Sequence, residues 1–201
     1  GGAIAKFIYS NIPESTLDVA EIDPAVIDVA KKYFYTKFND KVKAYAYDGR
    51  IFVQRAKRNY DIILLDAYNS EYIPFHLMTK EFLTEVKRKL KPNGIVLQNI
   101  WTTNELLKRN FATFGSVFKH LYFAKCVNSG NAVIVATDNE LYFTPASIKN
   151  ALERFKRVNI NYHFPITEYL QRYSKLKVDR NPSYVFIDEH APVHTYHRRE
   201  R

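Results

Sequence analysis

The sequence is short of several things, and each shortage closes a class of protein. One cysteine, Cys126, stands among 201 residues. No intrachain disulfide can form, so a disulfide-stapled secreted domain is excluded. No apolar run approaches the roughly 20 residues that a membrane-crossing helix needs. No basic-then-apolar leader stands at the start. The expectation is a cytoplasmic protein without a membrane partner. Internal repeats and low-complexity segments are also lacking. Lys and Arg number 30 against 21 Asp and Glu, a formal net charge of +9. Yet no basic run is interleaved with aromatics as a base-stacking platform would be. The excess reads as a solvated surface, and nucleic acid is not the expected partner. Finally, no strand precedes the glycines of the opening "GGAIAKFI", which reads as a chain entered inside a loop.

What is present is an alternation of strand and helix signals. Ser15 to Ile22 reads as a strand. Asp23-Pro24 then starts a helix, a capping acid followed by proline at the first helical position. Val26, Ile27, Ala30, Phe34 and Phe38 recur at helical spacing behind it. Lys41 to Tyr47 is a short strand, Asp48 to Lys57 a short helix, and Tyr60 to Leu65 a buried strand. Thr79 to Leu90 is an amphipathic helix with Phe82, Leu83, Val86 and Leu90 inward. Pro92-Asn93-Gly94 reads as a turn before a strand over Ile95 to Ile100. Thr103 to Phe118 is helical. "HLYFAKC" and "NAVIVATD" then form a hairpin around Asn128-Ser129-Gly130. Pro145 to Val158 and Thr167 to Tyr173 are further helices. The pattern predicts an α/β fold with a mostly parallel sheet and a terminal antiparallel hairpin. Residues 1–140 form its main domain, and 141–201 a helical extension and tail on the same domain.

Open parallel sheets bind ligands beyond the carboxyl ends of their strands. The residues there are Gly1-Gly2, Glu21 and Asp23, Asp48-Gly49, and Asp66 with its loop. Glu21 lies 19 residues after Gly2. A carboxylate about 20 residues past a glycine turn suits a ribose diol, because an ionised carboxylate only accepts hydrogen bonds. A helix cap is the competing reading, favoured for Asp23 and open for Asp48, whose other reading is an acceptor for an adenine amino group. Gly1-Gly2 reads either as close backbone approach to a ligand or as simple flexibility.

Together "GGAIAKFI", "LDVAEIDPAVIDVAKKYF", "VKAYAYDGRIF", "YDIILLDAYNSEYIPFHLMTKEFL" and "LKPNGIVLQNI" resemble the spermidine synthase family of polyamine aminopropyltransferases, over roughly residues 1–140. The resemblance implies a Rossmann-like fold of the S-adenosylmethionine-dependent methyltransferase type. It also implies that the family's first strand and amino-terminal β-hairpin domain are not in this sequence. It assigns Gly1 and Gly2 to the tail of decarboxylated S-adenosylmethionine, Glu21 to ribose, Asp48 to adenine and Asp66 to the reacting amine. Oligomers are common in the family, so a homo-oligomer is an expectation.

One departure bears on catalysis. The family usually has an aspartate base three residues after the strand-end acid, and here that residue is Asn69. An amide accepts no proton near neutral pH; Glu71 or His76 are the substitutes at hand. "IPFHL" also differs from the family's glycine- and proline-rich loop and looks more like a spermidine-synthase-like branch. Asp66 and Glu71 supply the negative field that a cationic amine needs. Tyr68 and Tyr72 either flank an alkylammonium or simply pack. The candidate set is thus Asp66, Glu71 and His76 for catalysis; Gly1, Gly2, Glu21, Asp23, Asp48 and Gly49 for the nucleoside; and Tyr68, Asn69 and Tyr72 for a small-molecule amine. His190, His194 and His197 near the end read as solvated, and no metal is expected. Asp188-Glu189 could fold back toward the site. The leading expectation is aminopropyl transfer to an amine such as putrescine. The alternatives are a methyltransferase using ordinary S-adenosylmethionine, or a nucleoside-binding homologue without catalysis.

Overall fold

A computed structural model describes residues 1–68, 73–101, 107–126, 129–141, 144–157, 166–177 and 181–190. The chain divides into two compact units. One comprises Gly1–Arg55 and Tyr142–Gln171, the other Ala56–Leu141 and Arg172–Arg201. The stretch past residue 140 that reads as one extension is therefore shared between them.

The first unit opens with a helix that the sequence did not announce, α1 (Ala3–Asn11). Its N-cap is Gly2, in the left-handed region at φ 70°, with no side-chain cap. A Cβ there would lie 2.4 Å from the Thr36 Oγ1. Thr36 is buried, and its hydroxyl donates to the Gly1 carbonyl at 3.1 Å. The opening thus lies against buried packing: Gly1 and Gly2 precede the helix, and α1 follows directly at Ala3.

Strands β1 (Leu17–Glu21) and β2 (Val42–Ala46) pair in parallel, with Glu21 level with Ala46. Between them runs α2 (Pro24–Phe34), capped by Asp23 with Pro24 at its first position, as the sequence predicts. Its inward residues differ from expectation. Ala30 is buried, but Val26 and Phe34 are exposed, and Phe38 lies beyond the left-handed terminator Tyr35. Helix α3 (Gly49–Arg55) follows, and Phe52 packs on Tyr45 at 5.1 Å between rings. Helices α6 (Pro145–Arg157) and α7 (Ile166–Gln171) complete this unit and touch each other.

The second unit is built on five strands: β3 (Tyr60–Leu65), β4 (Leu90–Trp101), β5 (His120–Lys125), β6 (Asn131–Thr137) and the short β7 (Ser174–Lys175). Their order is β3-β4-β6-β5-β7. β3 and β4 are parallel; β6 runs antiparallel to both β4 and β5, the expected hairpin. β7 was not expected. The predicted Pro92-Asn93-Gly94 turn is a bulge inside β4 instead: pairing passes from Tyr60–Leu90 to Ile62–Ile95, and Asn93 takes φ 66°. Residues 127 and 128, at the expected hairpin turn, lie outside the described residues.

Helix α4 (Lys80–Arg88) packs on β4 and on α5 (Leu107–Val117). Phe82, Leu83 and Val86 are buried as their spacing predicts, whereas Leu90 begins β4. Thr79, itself fully buried, caps α4 by accepting from the Phe82 N–H at 3.3 Å. Residues 185–188 bind at the start of α4 and against the middle of α5. The Lys80 N–H donates to the Phe186 carbonyl at 2.8 Å, and the Phe186 N–H donates to Thr113 Oγ1 at 3.0 Å. The Phe186 ring meets Phe75 edge-on at 5.4 Å and lies 4.1 Å from the Arg109 guanidinium.

Candidate functional site

In the first unit the predicted residues gather at the carboxyl ends of two adjacent parallel strands. Glu21 ends β1, and Asp48 follows β2 by two residues. Each also serves the backbone. Glu21 Oε1 accepts from the Asp23 N–H at 3.1 Å, and Asp23 Oδ1 accepts from Ala25 N–H at 2.8 Å. Asp48 Oδ1 accepts from Arg50 and Ile51 N–H at 2.9 and 3.1 Å, capping the helix that Gly49 begins. The cap reading of Asp23 and Asp48 is therefore correct as far as it goes. It does not remove the ligand reading, because a carboxylate carries about four acceptor sites on two oxygens. A hollow of about 410 Å³ also lies along α6, lined by Ser147, Asn150, Ala151, Arg154 and Phe155. It contains none of the predicted residues.

In the second unit Asp66 stands just beyond β3, exposed. Its Oδ1 accepts from the Asn99 amide at 3.0 Å. The Asn99 Oδ1 in turn accepts from the Asn131 amide at 3.0 Å. Tyr68, half-buried, donates its hydroxyl to the Asn99 backbone carbonyl at 2.9 Å. Burial, and then the charge of Asp66, push the Tyr68 phenol up to about 12. It therefore stays protonated and donates across the physiological range; it is no proton acceptor. His76 sits half-buried in the 3₁₀ turn Phe75–Leu77, directly before Thr79 and α4. Asn69, Glu71 and Tyr72 lie outside the described residues, as do His194 and His197. The Asp188 N–H donates to Glu81 Oε2 at 3.0 Å, which puts the Asp188 backbone at the first turn of α4.

Sequence reasoning missed Asn99 and Asn131. Asn99 is opposite Val133 in the β4–β6 ladder, so Asn131 is its diagonal neighbour. The "QN" within the strand was visible, but its partner depends on a register that the sequence alone does not show. Among the described residues, no group of three His, Cys, Asp or Glu is placed to hold a metal. No helix among them is long and apolar enough to cross a membrane.

Residues 6–128 match the family model for the spermine/spermidine synthase domain. A polyamine aminopropyltransferase of Vibrio vulnificus (strain CMCP6) is 41% identical over 140 residues, 68% of this chain and 47% of the relative. The chain thus spans about half the length of that relative. Among solved structures, human methyltransferase-like protein 13 in complex with SAH gives a TM-score of 0.69 at 25% identity, covering 82% of this chain and 81% of its own. A spermidine synthase in complex with the transition-state analogue AdoDATO gives 0.62 at 19% identity, covering 79% and 58%. The chain shares the Rossmann-like, methyltransferase-type fold with both of these solved structures.

Proposed function

The chain belongs to the spermine/spermidine synthase family, and from that premise we propose that it moves an aminopropyl group from decarboxylated S-adenosylmethionine to a polyamine such as putrescine. The amine nitrogen attacks the propyl carbon bound to the sulfonium. The C–S bond breaks, and sulfur keeps the electron pair as neutral methylthioadenosine. The new ammonium then releases a proton. The enzyme must therefore hold a sulfonium nucleoside, gather a cationic amine, and present that amine as its free base.

In this reading Gly1, Gly2, Glu21, Asp23, Asp48 and Gly49 hold the nucleoside, Glu21 at the ribose and Asp48 at the adenine. Asp66 attracts and orients the amine, with Tyr68, Asn69 and Tyr72 around it. Glu71 or His76 takes the proton that Asn69 cannot. The observation that supports the reading most is the setting of Asp66. It directly follows a strand of the matched family region and is held by a neutral amide, which orients a carboxylate without cancelling its charge.

The SAH-bound neighbour at 25% identity supports a second reading, methyl transfer from ordinary S-adenosylmethionine. Product analysis separates the two. Incubation with decarboxylated S-adenosylmethionine and a panel of amines should release methylthioadenosine and yield an aminopropylated amine. Methylated products from ordinary S-adenosylmethionine, with no methylthioadenosine formed, would overturn the first reading. Asp66→Asn should lower kcat/KM for the amine about 100-fold or more, because a transition-state charge interaction is lost.

A further inference from the structure

Three neighbouring strands each bring one polar side chain to a single line of hydrogen bonds: Asp66 beyond β3, Asn99 on β4 and Asn131 on β6. The line has a direction. A carboxylate only accepts, so the Asn99 amide must turn its NH₂ toward Asp66. That leaves its oxygen toward Asn131, which donates at 3.0 Å. Either Asn99 contact alone would allow other rotations of the amide plane; the two together select one. The Asn99 backbone is fixed as well. It lies in the β4–β6 ladder opposite Val133, and its carbonyl accepts the Tyr68 hydroxyl.

We propose that Asn99 and Asn131 are positioning residues for the amine end of the site: Asn131 sets the amide of Asn99, and Asn99 holds one oxygen of Asp66 so that the other faces an ammonium group. This rests on the reading of Asp66 as the amine's carboxylate. Neutral amides suit the task better than a cation. Lysine or arginine would hold Asp66 equally well but would offset the charge that a cationic substrate needs. Among the described residues no lysine or arginine is ion-paired with Asp66. The line also explains why a protein of net charge +9 can gather a cation: the attraction is local, from one oriented carboxylate.

Asn131→Asp supplies the decisive test, because residue 131 touches Asn99 and not Asp66. A carboxylate at 131 can only accept. Asn99 must then turn its NH₂ toward 131 and present its oxygen to Asp66, a repulsive contact. In steady-state kinetics with decarboxylated S-adenosylmethionine, Asn99→Ala should lower kcat/KM for the amine about tenfold through loss of a charge-assisted hydrogen bond. Asn131→Asp should do the same, and should add nothing to Asn99→Ala. Methylthioadenosine affinity, measured by calorimetry, should stay within about twofold in all three variants. Wild-type kinetics in both single variants, or losses that multiply in the double variant, would overturn the proposal.

A second readout needs no activity. In side-chain amide NMR spectra, the Asn99 signals should shift in both Asp66→Ala and Asn131→Asp. Unmoved signals overturn the relay itself. If they do move while the wild-type protein transfers no aminopropyl group, the assigned reaction falls and the relay stands.

Discussion

Single residues here often serve two ends. Asp23 and Asp48 could be read from sequence either as helix caps or as ligand acceptors, and the capping bonds are present. The choice was never exclusive, because capping engages one oxygen of a two-oxygen group. Gly2 shows the opposite limit of sequence reading. A glycine at a chain start looks like mere flexibility, yet this one holds φ 70° against a buried threonine. Nothing local to the sequence signals Thr36, 34 positions away. Gly2→Ala should destabilise the protein by about 1–3 kcal/mol, since it joins a left-handed backbone to a clash; urea unfolding measures it, and an unchanged midpoint would refute the packing described. Tyr68 makes a spectroscopic prediction. One phenol should titrate near 12 rather than 10 and vanish from the titration in Tyr68→Phe. Because this folded value exceeds the unfolded one, its contribution to stability is complete below pH 10 and declines as pH rises toward 12.

At the scale of elements, the legible parts are those with strong periodicity or a capping signal. Helices α2 and α4 announce themselves through Asp23-Pro24 and Thr79, and the runs of β3, β5 and β6 through apolar patterning. Helix α1 carries no side-chain cap and no strong start signal, so the sequence does not announce it. The bulge in β4 was hidden because Pro-Asn-Gly marks a reversal far more often than an interrupted strand. The segment at 185–188 has no regular pattern at all; only its partners give it meaning. It completes the hydrogen bonding of the Lys80 amide, one of those a helix start leaves open, and seals the Phe75 ring. Phe186→Ala should cost about 3–5 kcal/mol, in the range of large core truncations. Phe186→Leu, which keeps most of the volume, should cost clearly less. Equal midpoints for both variants in chemical denaturation would show that the ring's packing is unimportant.

For the molecule as a whole, composition and the order of five motifs carried the fold and the family, while the polar line through Asn99 required a strand register. The same register has one further consequence. A slip of β6 by a single residue against β4 would carry the Asn131 side chain to the opposite face of the sheet and leave the Asn99 oxygen without its donor.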